Sequence, residues 1–539
     1  MLIKRAASLL LAAAMIFSFS ACKKSGPKNA NKTIKYNLSA EPVTLDPQIA
    51  ADSSSIITVQ AIFEGLARLD KNGNAEPGAA ESWEHNADST KFTFHLRPDI
   101  SWAPKKYGAV KAKDFVFAFQ RALNPTTASS TCTAMFCIKN AKQIHAGSIP
   151  ASQLGVTAKD DKTLTVSLAY SCPDFPKLTA LPVYMPCNES FFKSSEGRYG
   201  LESKYTLGNG PFCIDGAYGW EHGKYLNLAR SSSYSGQTKP FPAAVDFTIG
   251  TLPDSVAALT GKTVDAAPIS SSQIGAAKSS GCTLTSFRDT TWGLCFNTQS
   301  SVFKNLKVRS GFLQAFSRAK VLSHLPAGTS KAENILFPET MIDGQNYRAL
   351  AGGPFYLKES TSAAQTLFAG LRELNLDSSS LDSVTVLCPD NSNIKLMLNE
   401  MIAAWNKQFS NYFNMKTMSL SSLESHVQSG DYEIAVCPVK PSDSSPLAML
   451  SLFSSGSSSN PCSLKDSAYD SLLVSAQEKG GKEAAAVYAQ AEKYLNQHAV
   501  FYPLYYEDSY YALAKGVTGI VFRPYGSGID FLNAGKESS

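Results

Sequence analysis

IFEGLARLDKNGNAEPGAAESWE (Ile62–Glu84), FTFHLRPDISW (Phe92–Trp102) and AKDFVFAFQRALNPTTAS (Ala112–Ser129) are the stretches on which the fold is read. In the second, Phe92, Phe94 and Leu96 alternate with Thr93, His95 and Arg97, the period of a strand with one face in a core. In the third, Ala112–Leu123 sets Phe115, Phe119 and Ala122 on one face, the period of an amphipathic helix. The first reads as a strand, a turn at Lys71–Asn72–Gly73–Asn74 and a short helix opened by Pro77. Trp83 and Trp102 fall on these periods and are expected to fill a core.

Outward from there, Leu164–Leu168, Tyr225–Leu228 and Val245–Ile249 read as further strands. Val308–Leu325, Ile394–Phe409, Ala468–Glu478 and Lys482–His498 read as helices. Strands and helices mixed along the whole chain predict an α/β or α+β architecture. A chain of 539 residues exceeds one core and predicts two or three domains. At 44% hydrophobic and 18% charged the composition is that of a globular protein. The net charge of +5 is weak for this length, and no basic run is interleaved with aromatics, which argues against nucleic acid.

The amino terminus assigns a compartment. Lys4 and Arg5 precede an apolar run from Ala6 to Phe19, then Ser20, Ala21 and Cys22, the layout of a secretory signal. This 14-residue apolar run falls short of the ~20 that a membrane-spanning helix needs. Ser20-Ala21-Cys22 resembles a bacterial lipobox, which implies acylation of Cys22, and KKSGPKNANK (Lys23–Lys32) then reads as a flexible tether. In an oxidising compartment Cys132 with Cys137, Cys172 with Cys187, and Cys282 with Cys295 are candidate bridges, with free buried thiols as the default.

From Glu41 onward the chain resembles the family 5 extracellular solute-binding proteins, the oligopeptide- and dipeptide-binding group of ABC importers. The blocks follow in family order: EPVTLDP (Glu41–Pro47), the three stretches above, LGVTAKDDKTLTVSL (Leu154–Leu168), GNGPF (Gly208–Phe212), FNTQSSVFKNLKVRSGFLQAFSRA (Phe296–Ala319), SGDYEIA (Ser429–Ala435) and FYPLYYEDSYYAL (Phe501–Leu513). The resemblance implies a mixed α/β periplasmic-binding-protein type II fold with two lobes, an additional third domain and a hinge. Residues 33–61, 201–297 and 511–539 would form lobe I, 62–200 the extra domain II, and 298–510 lobe III. Residues 1–22 would be a lipoprotein signal peptide and 23–32 the tether, leaving the exported protein anchored to the outer face of the cytoplasmic membrane.

The resemblance also implies a site in the cleft between the lobes. Relatives that take peptides hold the ligand backbone by strand addition and fix its amino end with a carboxylate in a Gly-Trp-x-Ala-Asp-Tyr segment. Here the matching stretch is Pro438-Val439-Lys440-Pro441-Ser442-Asp443. Val439 replaces the tryptophan, Ser442 the aspartate, and Asp443 stands one residue along. Thr131 replaces a tyrosine that lines the peptide, and Ala51 to Ser53 match the strand that pairs with it. Lys440 suggests a receptor for a ligand carboxylate. The candidate ligand-binding residues are therefore Ala51, Ser53, Thr131, Val439, Lys440, Ser442 and Asp443.

The partners implied are a peptide or other small solute, an ABC permease with its ATPase subunits, and membrane lipid through Cys22, with the protein a monomer. No cofactor, metal or catalytic residue is expected. Ser317-x-x-Lys320 and Ser190-x-x-Lys193 lack the companion motifs of penicillin-binding enzymes, and Gly261-Lys262-Thr263 lacks the first glycine of a phosphate loop. The alternatives are a same-fold protein for a non-peptide solute, a lipoprotein peptide sensor without a transport role, and a lipoprotein hydrolase.

Overall fold

A computed structural model describes residues 32–457, 459–524 and 528–537. Cys22, with the signal and tether expected around it, lies outside the described residues.

One sheet organises most of the chain. Its strands are β1 (Thr33–Leu38), β2 (Phe212–Ile214), β3 (Tyr225–Arg230), β4 (Ala244–Ile249), β5 (Ala266–Ile269), β6 (Thr283–Phe296), β7 (Thr329–Lys331), β8 (Thr385–Pro389), β9 (Asn414–Met418), β10 (Ile434–Val439) and β11 (Phe501–Leu513). They lie in the order β9-β8-β10-β6-β11-β5-β1-β4-β3-β2; off this path β7 pairs with β11, and a twelfth, two-residue strand, Trp220–Glu221, pairs with β3. Each half holds a parallel group, β4-β1-β5 on one side and β9-β8-β10 on the other. The antiparallel pair β6 and β11 belongs to both halves. At about 3.3 Å per residue these strands run some 45 Å, long enough to cross from one half to the other. Their register slips between Arg288 and Thr290, and again between Trp292 and Gly293, and such irregularities bend and twist a strand.

The side-chain alternation of a strand separates the cores. Leu294, Phe296 and Val436 point into one cluster with Phe312, Leu367 and Trp405. Cys295, Ala435, Cys437 and Val439 point into another with Tyr469, Tyr488 and Phe501. The third cluster joins the β1–β4 half to a smaller body built on a four-stranded sheet. That body contains the strands Ala80–His85, Lys91–Leu96, Val156–Ala158 and Thr163–Ser167. The helix Ala112–Leu123 covers it, with Phe115 and Phe119 buried as their spacing predicts. Trp102 is fully buried, and Trp83 packs against Phe94.

Three expectations are corrected. Pro77 opens no helix: Ala75–Pro77 pairs with Ala67–Leu69 as a hairpin. Asp70 Oδ1 ties its turn by accepting from the Asn72 and Asn74 N–H groups, and Gly73 takes a positive φ of 82°. A Cβ on Gly78 would come within 2.8 Å of the Gly65 carbonyl, so the backbones lie too close for a helix there. The helix read at 308–325 is broken into Leu306–Gln314 and Arg318–Val321 by the extended Ser317. None of the three suggested cysteine pairs forms; all ten described cysteines are free thiols. Cys282 immediately precedes β6 and Cys295 lies near its far end, about 40 Å away along an extended chain. Cys295 instead meets Cys437 on the neighbouring strand.

Candidate ligand-binding site

Open sheets with parallel strands bind ligands beyond the carboxyl ends of those strands. In the β9-β8-β10 half those ends are Met418, Pro389 and Val439. β10 pairs with β6 over its whole length, from Ile434↔Phe296 to Val439↔Thr291. On its other side β8 faces only Ile434 and Ala435. From Val436 to Val439 the outer edge has no strand partner among the described residues. Pro438 agrees with that position, because a residue without an N–H is confined to sheet edges. The result is a short stretch of strand edge without a ladder partner, the feature that strand addition uses, although Val436, Cys437 and Val439 are themselves buried.

The residues following this edge divide by environment. The Val439 side chain is buried in a core and offers a ligand only its backbone. Lys440 is exposed, with its ammonium 3.6 Å from Asp289 Oδ2. Ser442 is exposed and donates from Oγ to Asp443 Oδ2 at 3.3 Å. Asp443 Oδ1 accepts from the Ser445 N–H at 2.8 Å. It thereby shapes the turn into the helix Pro446–Leu450, while its other oxygen faces Ser442.

The remaining candidates gather on a second bank. Ala51 and Ser53 are exposed, and Asp52 between them caps the helix Ser53–Ile62 by accepting from the Ser55 N–H. The strand expected at 51–53 is thus a helix start. Thr131 Oγ1 lies 3.3 Å from Ser129 Oγ, which donates to the Gln48 carbonyl at 2.5 Å. This places Thr131 beside the loop that leads to Ala51. Behind it, Asp46 grips Arg121 through both carboxylate oxygens.

Residues outside the sequence-derived set join the two banks. Tyr488 is buried on the lobe that carries β10. Burial, and then the charges of Cys172, Asp443 and Asp343, push its hydroxyl well above the ordinary tyrosine range. Tyr170 feels Tyr488 in turn. The segment at 170–172 therefore lies within electrostatic reach of Tyr488, and Tyr488 within reach of Asp343 and Asp443. At the crossing of β6 and β11, Asp289 accepts from Thr290 and Ser509, and Glu507 from the Trp292 indole at 2.6 Å. A signal for this crossing exists in the sequence: FRDTTW and YYEDSYY each place charges in the middle of an aromatic strand.

The chain is similar to known solute-binding proteins along most of its length. The dipeptide-binding protein DppE of Bacillus subtilis is 25% identical over 92% of this chain and 91% of its own length. The probable deoxycholate-binding periplasmic protein YgiS of Escherichia coli is 25% identical over 89% of each chain. The substrate-binding domain of an oligopeptide ABC transporter from Bacillus anthracis superposes with a TM-score of 0.76 at 25% identity, covering 94% of this chain and 99% of that one. No described helix is long and apolar enough to cross a membrane. The family model for bacterial extracellular solute-binding proteins, family 5, matches residues 74–461. Its members are exported proteins that bind substrates rather than transform them, and this chain belongs to that family.

Proposed function

We propose that the protein captures short peptides outside the cytoplasm and delivers them to the permease of an ABC importer, held at the membrane by an acylated Cys22. The observation that carries the peptide reading is the unpaired strand edge at Val436–Val439, set at the carboxyl end of β10. Main-chain pairing along such an edge gives affinity without reading side chains, which suits ligands of varied sequence. We take 33–61, 201–297 and 511–539 as lobe I, 62–200 as the extra domain and 298–510 as lobe III, with β6 and β11 as the hinge between the lobes. A ligand that bridges the lobes shifts the open–closed balance only by its extra affinity for the closed form. The permease and its ATPase subunits then act on the loaded, closed protein.

Native mass spectrometry of the protein as purified, followed by titration with di- to pentapeptides, tests the reading. Co-purified short peptides and saturable peptide binding are expected. A protein that binds no peptide but binds a bile acid would move the assignment to a non-peptide solute. That second reading is favoured by the likeness to YgiS and by Ser442 in place of the family's aspartate. Cys22→Ala is expected to release the protein from the membrane fraction.

A further inference from the structure

Asp289 lies at the slip in register between β6 and β11, where the ladder skips from Arg288 to Thr290. It is 8% exposed, and its oxygens accept from Thr290 Oγ1 and Ser509 Oγ, both at 2.8 Å. Among the described residues its only paired cation is Lys440, at 3.6 Å, beyond the roughly 2.7–2.9 Å of a well-made charge-assisted bond. The Lys440 side chain is 58% exposed against 11% for the aspartate. An ammonium on a flexible four-carbon stem, loosely held and facing solvent, can swing away. The other carboxylates at the crossing are committed: Asp508 and Glu339 to Arg288, and Glu507 to Trp292. Lys440 directly follows β10, so a ligand that runs on past Val439, beyond the end of that strand, meets the Lys440–Asp289 pair.

We propose that Asp289 anchors the ammonium group of a bound ligand, and that Lys440 is the resident counter-ion which the ligand displaces. This rests on the peptide reading of the cleft. A buried carboxylate stripped of its cation is costly. Lys440 therefore covers Asp289 while the site is empty, and the ligand ammonium takes over without leaving it bare. Because Asp289 sits at the bend of a strand shared by both lobes, the exchange takes place at the hinge. The ammonium can be a peptide amino end or a lysine side chain.

The test is calorimetric titration of the full exported protein with trialanine, N-acetyl-trialanine and N-acetyl-Ala-Lys-Ala. Acetylation of trialanine should weaken binding at least tenfold; recovery with N-acetyl-Ala-Lys-Ala would identify the side chain as an acceptable source of the ammonium. Asp289→Asn should abolish the preference for free amine, and Lys440→Met should bind trialanine at least as tightly as the natural protein. If Asp289→Asn fails to fold, the acetylation pair and Lys440→Met still decide. Equal binding of trialanine and its acetylated form overturns the anchor and leaves the peptide reading standing. Loss of the preference in Asp443→Asn but not in Asp289→Asn assigns the role to Asp443 and also overturns it. Binding of none of the three peptides removes both readings.

Discussion

Two carboxylates, Glu64 and Asp289, lie where separate parts of the chain meet, and they are held in opposite ways. Glu64 is 2% exposed. It accepts from Arg97 Nη2 at 2.8 Å and the Tyr234 hydroxyl at 2.5 Å, with Arg68 Nη1 at 3.5 Å. Arg68 reaches on to Asp530, which also receives Arg523, and Asn209 bonds both the N–H and the carbonyl of Glu64. The knot ties residues 64–97 to residues 209–234 and to residues 523–530. Asp289 has two hydroxyls and one distant ammonium. A saturated, buried ion-pair network fixes bodies together, whereas a carboxylate with an exposed and exchangeable partner is available to a ligand.

The largest test of this contrast is Glu64→Gln. The amide keeps the shape but leaves Arg97 without a counter-charge and Arg68 with Asp530 alone, and breaking a buried pair from one side costs about 3–5 kcal/mol. Urea unfolding should show that loss with an unchanged slope. A cost below about 1 kcal/mol would place Glu64 with Asp289, as an adjustable group.

Asp114 sharpens the comparison because it is buried without a bonded cation. Its Oδ2 accepts the Lys111 N–H at the helix start, at 2.9 Å, and the Trp102 indole and the Lys113 and Lys111 charges act on it only weakly against its burial. Burial pushes its pKa from 3.8 up to about 6. The folded state then binds the proton more tightly than the unfolded chain, so Asp114 favours folding most below pH 4 and loses that contribution as pH rises through 6. Asn at 114 does not titrate. Relative to the natural protein, Asp114→Asn should therefore gain up to about 3 kcal/mol between pH 4 and pH 7. Unfolding midpoints of the two proteins measured at both pH values check this, and parallel curves would refute it.

What the sequence made legible follows the range of the interactions. Local periodicity delivered Ala112–Leu123, Lys91–Leu96 and Thr163–Ser167, because core-facing side chains recur at the period of the element itself. The hairpin at 67–77 was misread since Pro77 signals a helix start as readily as an edge strand, and only the Gly65–Gly78 approach decides. The Glu64 knot was invisible: Arg68 and Asp530 are 462 residues apart, and no spacing rule joins them. For the site, family order pointed to Lys440 and Asp443 but not to Asp289, which a different strand brings beside Lys440 at its register slip.

The smallest effect expected on the fold is that of Lys440→Met. Its ammonium lies 3.6 Å from Asp289 on a side chain more than half exposed, and pairs of that kind contribute about 0–1 kcal/mol. The methionine keeps an unbranched stem of similar length, so local packing has little reason to change. Asp289 keeps its two hydroxyl donors, and solvent reaches it from the side that Lys440 leaves. Thermal unfolding without ligand should therefore shift by less than about 2 °C, since 1 kcal/mol moves a domain of 150–250 residues by roughly 2–4 °C. A larger drop would mean that Lys440 belongs to the fold, as Glu64 does, and that Asp289 cannot exchange its cation freely. A small one leaves Lys440 as a charge kept for the empty state, where the carboxylate it covers has no ligand to meet.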